Sequence, residues 1–177
     1  MPTRIALLRA VNVGGVSLPM AQLKAFFEKL GFESVRTLLQ TGNVVFESPR
    51  TGDLEKLLEA EAAKRLKLET HFLVRDPGEW NRMLSDNPFP KMAKEDPARL
   101  VLMPLKGAPS AAGIAALRAA FPGRERVEAG ARHLYIAYPE GQGRSKLTLR
   151  LIESKLGTRG TARNWNTARK IAELAGN

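Results

Sequence analysis

Residues 139–167 hold the side chains best suited to chemistry. They read Pro-Glu-Gly-Gln-Gly-Arg-Ser-Lys-Leu, then a helix-like run, then Thr-Ala-Arg-Asn-Trp-Asn-Thr. Arg144, Ser145, Lys146, Arg163 and Asn164 fall here, with Gly141 and Gly143, around two expected helix starts. A helix start carries unpaired N–H groups and a partial positive charge, so basic side chains gathered there suit an anion, above all a phosphate. Backbone N–H groups would hold a phosphate oxygen while Arg144 and Lys146 neutralise its charge. The stretch has no cysteine, no histidine and no carboxylate pair. It therefore points to binding rather than to a particular reaction. Gly141–Lys146 is not a P-loop, because the four-residue spacer and the Gly-Lys-Ser/Thr order are missing. The plain structural alternative is a loop followed by a serine N-cap, worth about 1 kcal/mol.

A second, smaller group is Arg9, Asn12 and the Gly14-Gly15 pair, which could bind an anion or support the Gln40–Asn43 turn. Asn43 belongs to the turn itself, since Thr-Gly-Asn is turn chemistry. His71 and His133 are far apart in sequence and are expected on a surface or in a satisfied core, so no metal site is expected. Glu140, beside the glycine loop, is a candidate general base, and no cofactor motif is present.

The elements that would position these residues follow from periodicity and punctuation. Ile5–Asn12 is expected to be a buried strand. Ser17 and Pro19 open a helix running to Leu30, with Leu23, Phe26, Phe27 and Leu30 on one face. Strands are expected at 34–39, 44–47 and 69–75, with a helix capped by Asp53 between the last two and a short helix over 77–85. The second half repeats this order. A strand at 100–103 precedes a helix from Ser110 to Phe121. A hairpin over 126–128 and 133–138 precedes a helix from Ser145 to Leu156, a strand at 161–164 and a last helix from Asn166. Asn43 and His133, Pro49 and Pro139, and Pro77 and Thr167 are each 90 residues apart. The expected fold class is α+β, with two tandem ferredoxin-like βαββαβ subdomains whose antiparallel sheets carry helices on one face. The expected division is a first subdomain at 1–86, a proline- and charge-rich linker at 87–98, and a second subdomain at 99–177. This topology sets Asn12, Gly14 and Gly15 beside Gln40–Asn43, and residues 141–146 beside 163–166.

At these residues the chain resembles an uncharacterised bacterial family, domain-of-unknown-function family 1697. The family pattern has a Leu-Leu-Arg-Gly-Ile-Asn-Val-Gly-Gly opening, then Gln-Ser-Gly-Asn-Val-Val-Phe, Gly-Arg-Ser-Lys-Leu and Arg-Asn-Trp-Asn-Thr. Here stand Leu7-Leu8-Arg9-Ala10-Val11-Asn12-Val13-Gly14-Gly15 and Gln40-Thr41-Gly42-Asn43-Val44-Val45-Phe46. Gly143-Arg144-Ser145-Lys146-Leu147 and Arg163-Asn164-Trp165-Asn166-Thr167 complete the set. The resemblance implies two ferredoxin-like subdomains and no activity. Ala10 stands where the family has glycine, and Thr41 keeps the hydroxyl of the usual serine.

The bulk properties set limits on partners. With no cysteine, disulfides, thiol catalysis and thiolate metal sites are all excluded, as suits a cytoplasmic location. Ile5–Leu8 is broken by Arg9 and reads as a strand rather than a leader, and no apolar run approaches the roughly 18 residues of a membrane span. No membrane partner is expected. The net charge of +10 is uneven: residues 144–177 carry +6, residues 1–50 carry +3 and the middle only +1. A basic surface of this kind attracts polyanions. The leading expectation is thus a phosphorylated small molecule or a nucleic-acid backbone, bound by Arg144, Ser145, Lys146, Arg163 and Asn164, with Arg9 and Asn12 secondary. Stacking on several bases has little support, because aromatics form 6% of the chain. The alternatives are an enzyme acting on a small phosphate ester or nucleotide, and an interaction protein whose motifs are purely structural.

Overall fold

Asp53 ends an extended stretch and its carboxylate accepts the Lys56 N–H at 3.0 Å, which starts the helix α2 (Leu54–Arg65). Ser110 does the same for α5 (Ala111–Ala120), accepting the Gly113 N–H at 2.9 Å. Such local choices build an α+β chain of two four-stranded antiparallel sheets and, among the described residues, seven helices. The computed structural model describes residues 1–9 and 17–176. The chain divides into two compact units, Met1–Arg82 with Lys170–Asn177, and Met83–Arg169.

The first sheet contains β1 (Thr3–Leu8), β2 (Glu33–Leu38), β3 (Asn43–Glu47) and β4 (Phe72–Arg75), in the order β2-β3-β1-β4. Between β1 and β2 runs α1 (Met20–Lys29), whose stripe Leu23, Phe26 and Phe27 is buried. Phe26, Phe27, Phe32, Phe46 and Phe72 meet in one core, with the Phe32 and Phe46 rings 4.8 Å apart and the Phe27 and Phe46 rings 5.0 Å apart. Aromatic contacts of this kind contribute about 0.5–1.5 kcal/mol each beyond the area they bury. Ser17 does not cap α1. The helix begins one residue after Pro19, whose fixed φ already suits entry to a helix and which makes no side-chain cap.

β4 is a margin of this sheet, and its outward N–H groups are occupied. Glu59 of α2 accepts the Phe72 N–H at 2.9 Å, and Glu55, one turn earlier, accepts the Val74 N–H at 2.8 Å. Glu55 also lies 3.5 Å from the buried Arg75 guanidinium, which has Glu79 at 3.4 Å on its other side. Unpaired strand margins invite association, and charged side chains are a usual defence.

The second sheet has the order β6-β7-β5-β8, from β5 (Leu100–Pro104), β6 (Arg126–Ala129), β7 (His133–Ala137) and β8 (Arg163–Asn164). β3 and β7 are each five residues long and start 90 residues apart, at Asn43 and His133. The helices α5 and α6 (Leu149–Leu156) enclose a core of Val101, Ile114, Leu117, Val127, Ile136 and Ile152. Gly160 bridges to Leu105 beside β5, and a Cβ there would lie 2.5 Å from the Pro104 carbonyl oxygen, so only glycine allows this approach.

Several expected boundaries change here. The helix expected from Ser145 begins at Leu149, with Thr148 as its cap. The strand expected at 161–164 is reduced to Arg163 and Asn164, because the chain first bridges at Gly160. The last helix, α7 (Trp165–Leu174), starts one residue before Asn166. After α3 (Pro77–Ser85), the expected linker holds a six-residue helix, α4 (Pro90–Glu95), with Pro90 in its first turn, and then a 3-10 turn at Pro97–Arg99.

Candidate functional site

The loop leaving β7 carries three of the expected site residues, and its path is fixed by pins at both ends. Gly141 takes φ +88°, a left-handed conformation suited to glycine, and its N–H bonds to the Tyr138 carbonyl at 2.9 Å. A 3-10 turn follows over Gln142–Arg144. The Ser145 hydroxyl donates to Glu125 at 2.6 Å and accepts the Leu147 N–H at 3.0 Å. The Tyr138 hydroxyl spans the loop and donates to the Leu147 carbonyl at 2.9 Å. At the entrance, the Arg99 guanidinium donates to the Pro139 carbonyl at 2.6 Å, and the Arg99 carbonyl accepts the Tyr138 N–H at 2.9 Å. Glu140 pairs with Arg124 at 3.5 Å, both well exposed. Thr148 then accepts the Leu151 N–H at 3.2 Å and starts α6.

Two cations remain outside this scheme. Arg144 and Lys146 are exposed on either side of the pinned Ser145, and among the described residues neither makes an ion pair or hydrogen bond. Arg150, in the first turn of α6, is exposed as well. Gly143, immediately before Arg144, has neither a positive φ nor, among the described residues, any atom within 4 Å of where a Cβ would sit. Its bare backbone serves no internal need that the geometry reveals.

The other motif lies on β8. Ile136 and Asn164 both pair with Val101, so the two segments flank β5, about 10 Å apart across two strand spacings. The loop's side-chain anchors, Glu125 and Arg124, stand just before β6, whereas β8 is the opposite margin of the sheet. Arg163 is 7% exposed and donates to Thr161 Oγ1 at 2.7 Å and to the Ala162 carbonyl at 2.9 Å. Burial pushes its guanidinium down to about 10, and it stays charged at neutral pH. Asn164 accepts the Thr167 N–H at 3.0 Å, which is the work of a helix cap for α7. Trp165 is buried. Thus Arg144, Ser145 and Lys146 share one loop, while Arg163 and Asn164 act within the backbone of the opposite margin.

In the first unit, Arg9 is half-buried at the end of β1. Its N–H bonds to the His71 carbonyl at 3.0 Å and its carbonyl accepts the Thr70 hydroxyl at 2.6 Å. The Leu8 N–H bonds to the Gly42 carbonyl at 2.9 Å, so this end of β1 lies against the Gln40–Asn43 turn. Asn43 is buried and its amide donates to the Leu38 carbonyl and to Thr41 Oγ1, both at 2.8 Å. Asn12, Gly14 and Gly15 lie outside the described residues. His71 faces Glu59 at 3.9 Å.

Sequence reasoning missed the pins. Glu125, Arg99 and Tyr138 lie outside the glycine-rich motif, and nothing in their local sequence marks them. Among the described residues no group of three or more histidines, cysteines or carboxylates could hold a metal ion, and no helix is long and apolar enough to cross a membrane.

A family model described as Protein of unknown function (DUF1697) matches residues 1–135. No curated protein matches the chain. Among solved structures, a conserved bacterial protein, SP0830 from Streptococcus pneumoniae, is similar over 98% of each chain, at 21% identity and a TM-score of 0.78. At that identity the likeness speaks to the fold alone.

Proposed function

Because the chain belongs to the family Protein of unknown function (DUF1697), its role has to be read from its own residues, and we propose that it binds phosphate groups, those of a nucleic-acid backbone in particular, on the Gln142–Lys146 loop. The observation that carries this reading is a pinned loop that presents two cations, Arg144 and Lys146, which pair with no group among the described residues. A loop already ordered by hydrogen bonds gives up little entropy when a ligand arrives. The exposed Gly143 backbone leaves room for a phosphate oxygen to approach. Arg150 extends the positive surface along α6. On this reading Ser145, Arg163 and Asn164 support the site rather than touch the ligand. Ser145 sends its proton to Glu125, Arg163 is buried, and Asn164 is committed to α7. Arg9 is a separate, secondary candidate in the first unit.

We read each unit as ferredoxin-like. The strand–helix–strand–strand–helix–strand order of each half, with sheet orders β2-β3-β1-β4 and β6-β7-β5-β8, supports this.

The test is the double variant Arg144→Ala/Lys146→Ala, titrated against a labelled single-stranded oligonucleotide across a range of salt concentrations. Two lost phosphate contacts lower the slope of log affinity against log salt by about 1.4, with the melting temperature unchanged. A slope equal to that of the unaltered protein would remove this loop from the binding surface.

A further inference from the structure

We infer that the groove between α4 and the β6–β7 margin stacks one unpaired base of a single-stranded nucleic acid whose phosphates lie on the Arg144–Lys146 loop. This rests on the phosphate reading above and names its ligand class. The groove has a volume of about 460 Å³ and is walled by Pro88, Phe89, Met92, Arg126, Ala137 and Pro139. That falls within the usual range of ligand clefts, roughly 300–1,000 Å³. Arg126 and Ala137 are register partners on adjacent strands. Their neighbours Val127 and Ile136 point into the core, so Arg126 and Ala137 take the other face of the sheet.

On that face the Arg126 guanidinium lies over the Phe89 ring, 5.6 Å from its centroid. Phe89 belongs to neither hydrophobic cluster described above, and it is half-buried in the proline-rich segment that leads into α4. A phenyl ring with a flat, delocalised cation already laid against it is a ready stacking platform. Every base offers a π-face to such a surface, whatever the sequence.

The platform and the cations are joined by short stretches of chain. Glu125, next to Arg126, is the residue that holds Ser145, and Ser145 stands between Arg144 and Lys146. Pro139, a wall of the groove, is where the pinned loop begins. Lys91 adds a further cation at the groove itself. Of the two acids beside it, Asp96 is drawn off by Arg99 at 3.5 Å, and Glu95 offers an acceptor to the exocyclic amine of a base. The charge favours a polyanion with flat rings over a neutral apolar peptide. A base inside a duplex is already stacked and paired, so the strand must be single.

Fluorescence anisotropy of the full chain tests this with three probes of equal length: an intact single strand, the same strand made abasic, and a duplex. The intact strand is expected to bind about tenfold more tightly than the abasic one. Phe89→Ala erases that difference and leaves abasic binding unchanged, whereas Arg144→Ala/Lys146→Ala weakens both probes alike. Phe89→Leu keeps the apolar bulk and removes the ring. It is expected to match Phe89→Ala in binding while melting like the unaltered protein. Equal affinity for the intact and abasic strands, or tighter binding of the duplex, overturns the groove and leaves the phosphate reading standing. No binding of any probe at low salt overturns both.

Discussion

Tyr135 and Tyr138 are the two tyrosines of the chain, and both hydroxyls are used internally. Tyr135 donates to the Met83 carbonyl at 2.6 Å and, its own proton so placed, accepts from His133 Nε2 at 3.1 Å. Tyr138 closes the candidate loop through Leu147. Burial, and to a lesser degree the charge of Asp86, pushes the Tyr135 hydroxyl up to about 12. Burial, with Glu125 as the lesser cause, raises Tyr138 in the same direction. A folded-state value above the unfolded one, about 10, means that the stabilisation is whole below about pH 10. It is lost as pH climbs through the Tyr135 value of about 12. Alkaline titration is therefore expected to show the tyrosinate absorbance rising in one cooperative step, together with the loss of helical circular dichroism. A gradual rise centred near pH 10 in a protein that stays folded would contradict the burial of these hydroxyls. Arg163 is the basic counterpart. Its guanidinium donates from Nη1 to Thr161 Oγ1 and to the Ala162 carbonyl, which offsets part of the cost of burying a charge at a sheet margin.

At the level of elements, Thr148 and Asn164 do the same job for α6 and α7. Asn164→Ala and Thr148→Ala are each expected to cost about 1 kcal/mol of stability, read as a lower midpoint in urea, with oligonucleotide affinity unchanged. A drop in affinity for Asn164→Ala at full stability would return Asn164 to the ligand surface. These caps also show what the sequence could disclose. Ser110 and Asp53 were legible because each is followed directly by an apolar helical stripe. Ser145 and Thr148 lie three residues apart, and either could open the helix on local grounds. The choice was made by Glu125, twenty residues away, which takes the Ser145 proton and leaves the cap to Thr148. Arg163 was hidden for a similar reason. A two-residue strand has no alternation from which to tell the inward side. The repeat was readable because the 90-residue spacing matches β3 and β7, two central strands whose length and burial leave little freedom. The Phe89–Arg126 platform joins residues 37 positions apart, so local pattern could not reveal it.

At the level of the whole chain, a net charge of +10 with +6 in residues 144–177 makes the field as important as any one contact. Positive potential speeds the encounter with a polyanion, and salt shortens its reach to about 8 Å at physiological ionic strength. Stopped-flow mixing with an oligonucleotide is expected to show the association rate falling steeply with added salt, while the dissociation rate changes less. An association rate indifferent to salt would mean that the charge is incidental to binding. The fold itself is no guide here, since a fold shared at 21% identity accommodates many roles.

Glu55 and Glu59 have a consequence for how copies of this protein behave toward one another. By filling the outward amides at Phe72 and Val74, they leave that border of the sheet without the donors a visiting strand would need. Lateral growth into a fibril is blocked there by two acids from α2, the element just before β4. The protection lasts as long as the helix stays docked, so melting α2 would both weaken the unit and uncover the amides of this edge.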